Sequence, residues 1–293
     1  MLAPVLVVTI IVVPWVVYRA YREVDDGFVA EWAGAHGLAL SPENRPMVSW
    51  YLRTARLLRT WGAIGGLLLP TFCALAWSDH LEILGADSGG GVNPGDAMWI
   101  FVGYLVGALY AELALVRPVD QARRSASLVP RRLDDYLARL VWLAQRWLGG
   151  VVALGILVSL ALPYDERFTV PSWVATVTFA AFVAAFTAGL EGVQRWLVRR
   201  PQPFTDPSLM AADDAIRSQS VHSLAGAGVS LLLFMGGGVC VLLAASDLAV
   251  LRWTMWLPAV VATVLALVAC QYVGHRAWRV RRRADRPSET ASA

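Results

Sequence analysis

Apolar residues in this chain come in long uninterrupted blocks, and any fold must first find a place for them. Seven blocks lie at about 2–18, 61–78, 97–116, 147–163, 172–194, 221–245 and 254–274. Each approaches the ~20 residues an α-helix needs to cross ~30 Å of hydrocarbon. A water-soluble fold would interrupt such runs with polar faces, whereas lipid makes no such demand on a helix that satisfies its own backbone. Charged residues make up only 16% of the chain, against about 25% in soluble proteins. The first block is short and carries Pro4 and Pro14. No arginine precedes it and no small-x-small site follows Val16-Val17-Tyr18, so it reads as a retained span and not as a cleaved signal. The expected fold is all-α: a single polytopic transmembrane helical bundle over residues 1–293, with about seven spans.

The arginines orient this bundle. All 25 basic residues are arginine, which we read as codon bias in a GC-rich, bacterial genome. Twenty-three of them follow blocks one, three, five and seven. The other two, Arg167 and Arg252, share the remaining segments with Asp79, Glu82, Asp87, Asp96, Asp165, Glu166 and Asp247. Basic loops stay in the cytoplasm, so the N-terminus is expected outside and the C-terminus inside, in a bacterial plasma membrane. Trp61, Trp147, Trp196 and Trp278 fall at the inner boundaries of this map, and Trp77, Trp99, Trp173, Trp253 and Trp256 at the outer ones. Indole rings prefer that depth. The basic excess belongs to topology, and nucleic-acid binding is not expected.

The cytoplasmic segments 19–60, 117–146 and 195–220 are long enough to hold helices of their own. The first predicts a short helix over 24–37 ended by Gly37, then an amphipathic helix from about Arg45 into the second block. Val48, Tyr51, Leu52 and Leu58 share one side of it, with Arg53, Arg56 and Arg59 elsewhere. The second predicts a helix after Pro130 that runs on into the fourth block, with Asp135 and Arg139 as an i,i+4 pair. The third has Asp206 as N-cap and Pro207 at N1. The last two share Arg-Pro, Ser-Leu, Asp-Asp and a following arginine, the pattern of a degenerate hairpin repeat. Residues 275–293 form a basic tail expected to be disordered.

Chemistry-bearing residues are sparse. Cys73, Cys240 and Cys270 lie in apolar blocks, odd in number and without a CxxC pair, and read as small buried hydrophobes. The outer loop from Asp79 to Asp96 is acidic, but Gly89-Gly90-Gly91 denies it the fixed geometry a hard cation needs. No metal, no cofactor and no catalytic constellation is expected, and an enzyme is not indicated. Glu112 and Glu191 are the polar candidates, because a carboxylate within a span marks a functional site by default. Both lie within about two turns of the inner boundary. Arg195 stands at i+4 from Glu191, so helix-orienting ion pairs are the expectation, with a proton or ion relay as the alternative. Gly103-x-x-x-Gly107 and the stripe Ala181, Ala185, Gly189 predict close helix packing within the chain. Gly236-Gly237-Gly238 could unwind. Arg279, Arg281, Arg282 and Arg283 are candidate contacts to anionic lipid.

Three functional classes remain. A non-enzymatic membrane subunit or signal-coupling protein would use the three cytoplasmic segments to dock a protein partner. A transporter or channel component would use Glu112 and Glu191. A membrane enzyme acting on lipid has no constellation to support it.

Overall fold

The computed structural model describes residues 13–76, 96–114, 131–164, 172–201 and 206–275. Helices account for every regular element among them: α1 Val13–Tyr21, α2 Asp26–Ala35, α3 Arg45–Ala76, α4 Asp96–Ala114, α5 Leu133–Tyr136, α6 Arg139–Ser159, α7 Trp173–Arg199, α8 Pro207–Ala244, α9 Ala249–Thr254 and α10 Trp256–His275. Four stretches are long and apolar enough to cross a bilayer: Arg139–Ser159, Trp173–Arg199, Pro207–Ala244 and Ala249–Cys270. Met98–Ala114 is a shorter apolar helix. Most of the first block, the outer loop at 77–95 and the basic tail lie outside the described residues, as does the side chain of Cys73.

Helix α8 is the axis of the bundle, packed against α10, α6, α4 and α7 and touching α3. Every residue from Ala215 to Leu232 is buried. A helix covered on all sides must be narrow, and this stretch supplies Ser218, Ser220, Ser223, Ala225, Gly226, Ala227, Gly228 and Ser230. The surrounding helices are inverted by soluble standards. Val106, Leu154, Val158, Phe182, Val260, Val264 and Val268 are exposed, the outward face of a protein whose solvent is lipid. Trp147, Trp173, Trp196, Trp253 and Trp256 are also exposed, as interfacial indoles should be.

Helices α3 and α4 approach more closely than any side chain would allow. Gly62 and Gly66 of α3 face Gly103 and Gly107 of α4, and a Cβ on any of the four would collide with backbone of the other helix. The expected packing role of Gly103 and Gly107 is thus met inside the chain. The stripe on α7 departs from expectation. Ala181, Ala185 and Gly189 are exposed, because α7 turns Val183, Leu190 and Gln194 inward instead.

Three further expectations need correction. Asp135 and Arg139 do not share one helix turn, because the helix breaks at Leu137, which is extended, and restarts at Arg139. The Asp135 carboxylate accepts instead from the Arg132 backbone N–H at 3.2 Å. Gly236-Gly237-Gly238 stays helical, with Gly237 packed beside Ala259 and Thr263 of α10. Residues 207–220 are not a separate loop helix. They are the first third of α8, started as expected by Asp206, whose carboxylate accepts from the Ser208 and Leu209 N–H groups.

At ~1.5 Å per residue, the 38 residues of α8 span ~57 Å and the 32 residues of α3 ~48 Å. Both exceed the ~30 Å hydrocarbon layer. The excess lies at their N-terminal ends, where α2 joins them. Val29, Trp32 and Ala33 of α2, Leu38 of the turn after it, Val48, Tyr51 and Ala55 of α3, and Ala212, Ala215 and Ile216 of α8 share one hydrophobic cluster. Gly37, at φ 66°, turns the chain between α2 and α3, as its position predicts. A helical cap is thereby built onto the N-terminal ends of α3 and α8.

Candidate functional site: a buried polar core at the base of the bundle

The N-terminal half of α8 carries polar side chains around its whole circumference, and the neighbouring helices bury them. Three groupings result, each held in a different way.

The first centres on Arg217, which is 1% exposed. Its guanidinium donates to Asp213 one turn earlier, Nε to Oδ2 at 2.7 Å. It also donates to the carbonyl oxygens of Leu197, Val198, Arg200 and Pro201. Those carbonyls belong to the last turn of α7 and the residues after it, where a helix leaves its oxygens without internal partners. One buried cation thus ends α7 and locks it to α8. Beside it, Tyr136 donates its hydroxyl proton to Asp214 at 3.0 Å, while Ser218 donates to the Tyr136 carbonyl at 3.1 Å. Burial pushes the Tyr136 hydroxyl well above its ordinary pKa. These bonds tie the turn at α5 onto α8.

The second grouping joins α6 and α7. Glu191 receives both arms of Arg146, Nε at 2.9 Å and Nη2 at 2.6 Å, and also pairs with Arg195. The Arg146 guanidinium lies 3.9 Å over the Trp142 ring. Only Arg195 was foreseeable from spacing. Arg146 lies 45 positions away, and nothing short of the packing of two helices discloses it. Glu191 is saturated by this arrangement, as an ion pair that orients helices should be. One turn further, Gln194 donates to Gln145 at 3.0 Å in the same buried interface.

The third grouping surrounds Glu112, which is 3% exposed. Arg117, its nearest following arginine in sequence, lies outside the described residues. Its charge is faced instead by Arg59 of α3, with Arg200 and Arg217 also acting on it. Arg59 donates to the Tyr51 hydroxyl at 3.3 Å, Tyr51 and Ser220 are 3.1 Å apart, and Ser220 hydrogen-bonds Glu112. A chain of hydrogen bonds therefore runs from Arg59 through Tyr51 to Ser220, beside the carboxylate. Ser220 also reaches the Ile216 carbonyl at 2.9 Å, and one hydroxyl proton cannot serve both acceptors. Oε1 of Glu112 is buried without a hydrogen-bond partner. Glu112 is the less satisfied of the two carboxylates, and the amphipathic reading of α3, which placed Arg59 away from the apolar side, hid its counter-charge.

His36 closes the cap. It follows α2, 8% exposed, and its Nδ1–H donates to the Trp32 carbonyl at 2.8 Å. The Trp32 ring lies 4.2 Å away and the Gln219 side chain lies against the imidazole. Burial holds its pKa below the usual 6.5. The unfolded chain then binds this proton more readily, so His36 lowers stability as pH falls below about 6.5. Against His36→Gln, the wild type should lose relative stability as pH falls below about 6.5. Melting in detergent across that range measures the difference. Parallel curves for the two proteins would remove His36 as the source.

Among the described residues no group of three or more His, Cys, Asp or Glu side chains is placed to hold a metal ion. Arg279, Arg281, Arg282 and Arg283 lie outside the described residues. Comparison with protein-family models, with curated proteins and with solved structures finds no match to this chain.

Proposed function

We propose that this chain is a non-enzymatic, multi-pass protein of a bacterial plasma membrane that couples a cytoplasmic protein partner to its membrane helices. About seven spans follow from the apolar blocks, and an outer N-terminus and an inner C-terminus from the arginine asymmetry. Reporters fused after residues 88 and 210 should then lie on opposite sides, and a cytoplasmic signal at 88 would overturn the topology. The observation that carries the coupling role is the continuity of α8. Its cap-forming end and its apolar end are one 38-residue helix, buried without interruption from Ala215 to Leu232. A load applied to the cap has no hinge in which to dissipate. The exposed side of α2, with Phe28 and Glu31 at i and i+3, offers the partner a surface, and Arg56 lies 5.5 Å over the Phe28 ring.

A second reading, a transporter or channel component, is favoured by one observation: the hydrogen-bonded chain that ends beside the incompletely satisfied Glu112. One set of measurements separates the two. Under the coupling reading, a protein that co-purifies stoichiometrically in mild detergent should be lost on Phe28→Ala with Glu31→Arg, with unchanged melting. Glu112→Gln and Glu191→Gln should lower function only in proportion to abundance. Ion flux by purified protein in liposomes, abolished by Glu112→Gln at wild-type thermal stability, would replace the coupling reading with the transport one.

A further inference from the structure

A cleft of about 220 Å³ opens where α7 ends beside the turn that begins α5. Four arginines line it, Arg131, Arg132, Arg195 and Arg199, against one acidic residue, Asp134. Leu133 and Val198 complete the lining. Asp214 acts on Arg131, and the acids near the other three arginines are shared or fewer than the cations. Glu191 is shared between Arg195 and Arg146, which leaves that trio positive. Arg131 reaches the Arg200 carbonyl at 3.4 Å, which fixes it at the rim. Arg132 and Arg199 are exposed. The exposed indole of Trp196, on the last turns of α7, sets the depth at the lipid–water boundary.

A second feature begins at this cleft. On the same side of α7 as Arg199 and Arg195, at steps of three and four, stand Gly192, Gly189, Ala185 and Ala181, all exposed. Nothing lies within 4 Å of where a Cβ would project from Gly192 or Gly189. The stripe is a smooth lane without protruding side chains, and it leads away from the arginines into the apolar part of the helix. From Gly192 to Ala181 the helix rises ~16 Å. That matches the ~15 Å of hydrocarbon in one leaflet.

We propose that this cleft and lane form a specific site for an anionic phospholipid of the cytoplasmic leaflet, the phosphate among the arginines and an acyl chain along the α7 stripe. Charge complementarity selects the headgroup, and the planar donors of arginine suit a phosphate oxygen pair. The lane explains why small residues at helix-packing intervals stay exposed among the described residues. The site does not involve the basic tail and does not depend on the coupling role.

The test uses the full-length protein in mild detergent with equal amounts of phosphatidylglycerol and phosphatidylcholine, read by native mass spectrometry. One phosphatidylglycerol should be retained preferentially, about tenfold or more. Arg132→Gln with Arg199→Gln, the tail unchanged, should remove that preference, at about a factor of five for each juxtamembrane arginine. The lysine pair at the same positions should keep most of it. Gly192→Leu, which obstructs the lane and leaves every arginine in place, should weaken retention of long-chain phosphatidylglycerol but not of its dihexanoyl analogue. Equal retention of both lipids by the wild type would overturn the site. So would displacement by millimolar inorganic phosphate, the mark of a free-phosphate site, or a dimer cross-linked through α7 in place of lipid.

Discussion

Replacing Arg217 by methionine should destabilise the protein by about 3–5 kcal/mol, the usual result of removing one partner from a buried ion pair. Two losses combine. Asp213, which is 3% exposed, would keep its charge with only Arg200 at 3.7 Å to offset it. The carbonyl oxygens of Leu197, Val198, Arg200 and Pro201 would lose their donor in a place where water cannot replace it. A double change, Asp213→Leu with Arg217→Met, removes the stranded charge but not the uncapped carbonyls. It should recover part of the loss and still melt below the wild type. Arg217→Lys should be nearly as harmful as methionine, because an ammonium cannot reach five acceptors from the position of a planar fork. Retention of wild-type melting by Arg217→Met would mean that the end of α7 does not depend on this cation.

The next largest effect is expected at the crossing of α3 and α4. Gly103→Ala should cost about 3 kcal/mol, although alanine is the better helix former by about 1 kcal/mol. The added methyl would meet the Gly62 carbonyl oxygen and the Gly66 backbone, and backbone cannot move aside as a side chain does. The two helices would have to separate along their whole contact, and that contact supplies the van der Waals energy of association in lipid. Gly65→Ala on α3 is the control. Nothing lies within 4 Å of its Cβ position, so it should be neutral or slightly stabilising. Equilibrium unfolding in detergent reads both. Equal stabilities for Gly103→Ala and Gly65→Ala would dismiss the close crossing.

The sequence determined the features that follow from one-dimensional pattern. Apolar runs near the length of a bilayer crossing announce helices suited to lipid, because in hydrocarbon a helix must satisfy its backbone alone. Asp206-Pro207 starts α8 and Gly37 ends the turn after α2, since capping depends on neighbours in the chain. The Glu191–Arg195 pair also follows from spacing within one helix. Where the pattern misled, a contact from another helix had the larger energy. Asp135 was assigned to Arg139, but the chain breaks at Leu137 so that Tyr136 can reach Asp214 and Ser218. Ala181, Ala185 and Gly189 have the spacing of a packing face, and spacing alone cannot say whether a partner helix is there.

Only the tertiary structure decided which polar residues are interior and how each is neutralised. Glu112 and Glu191 look alike in sequence, each near the inner end of an apolar block. Glu191 meets Arg146 across a helix interface and is saturated, whereas Glu112 faces Arg59 at the end of a hydrogen-bonded chain with one oxygen unpartnered. Asp213, Arg217 and Ser220 precede the apolar block that begins at 221, and His222 stands at its start, yet all four are buried. The reason is physical. Local sequence fixes whether a segment is helical, but the desolvation of a side chain depends on every helix packed around it, and here those helices come from the whole length of the chain.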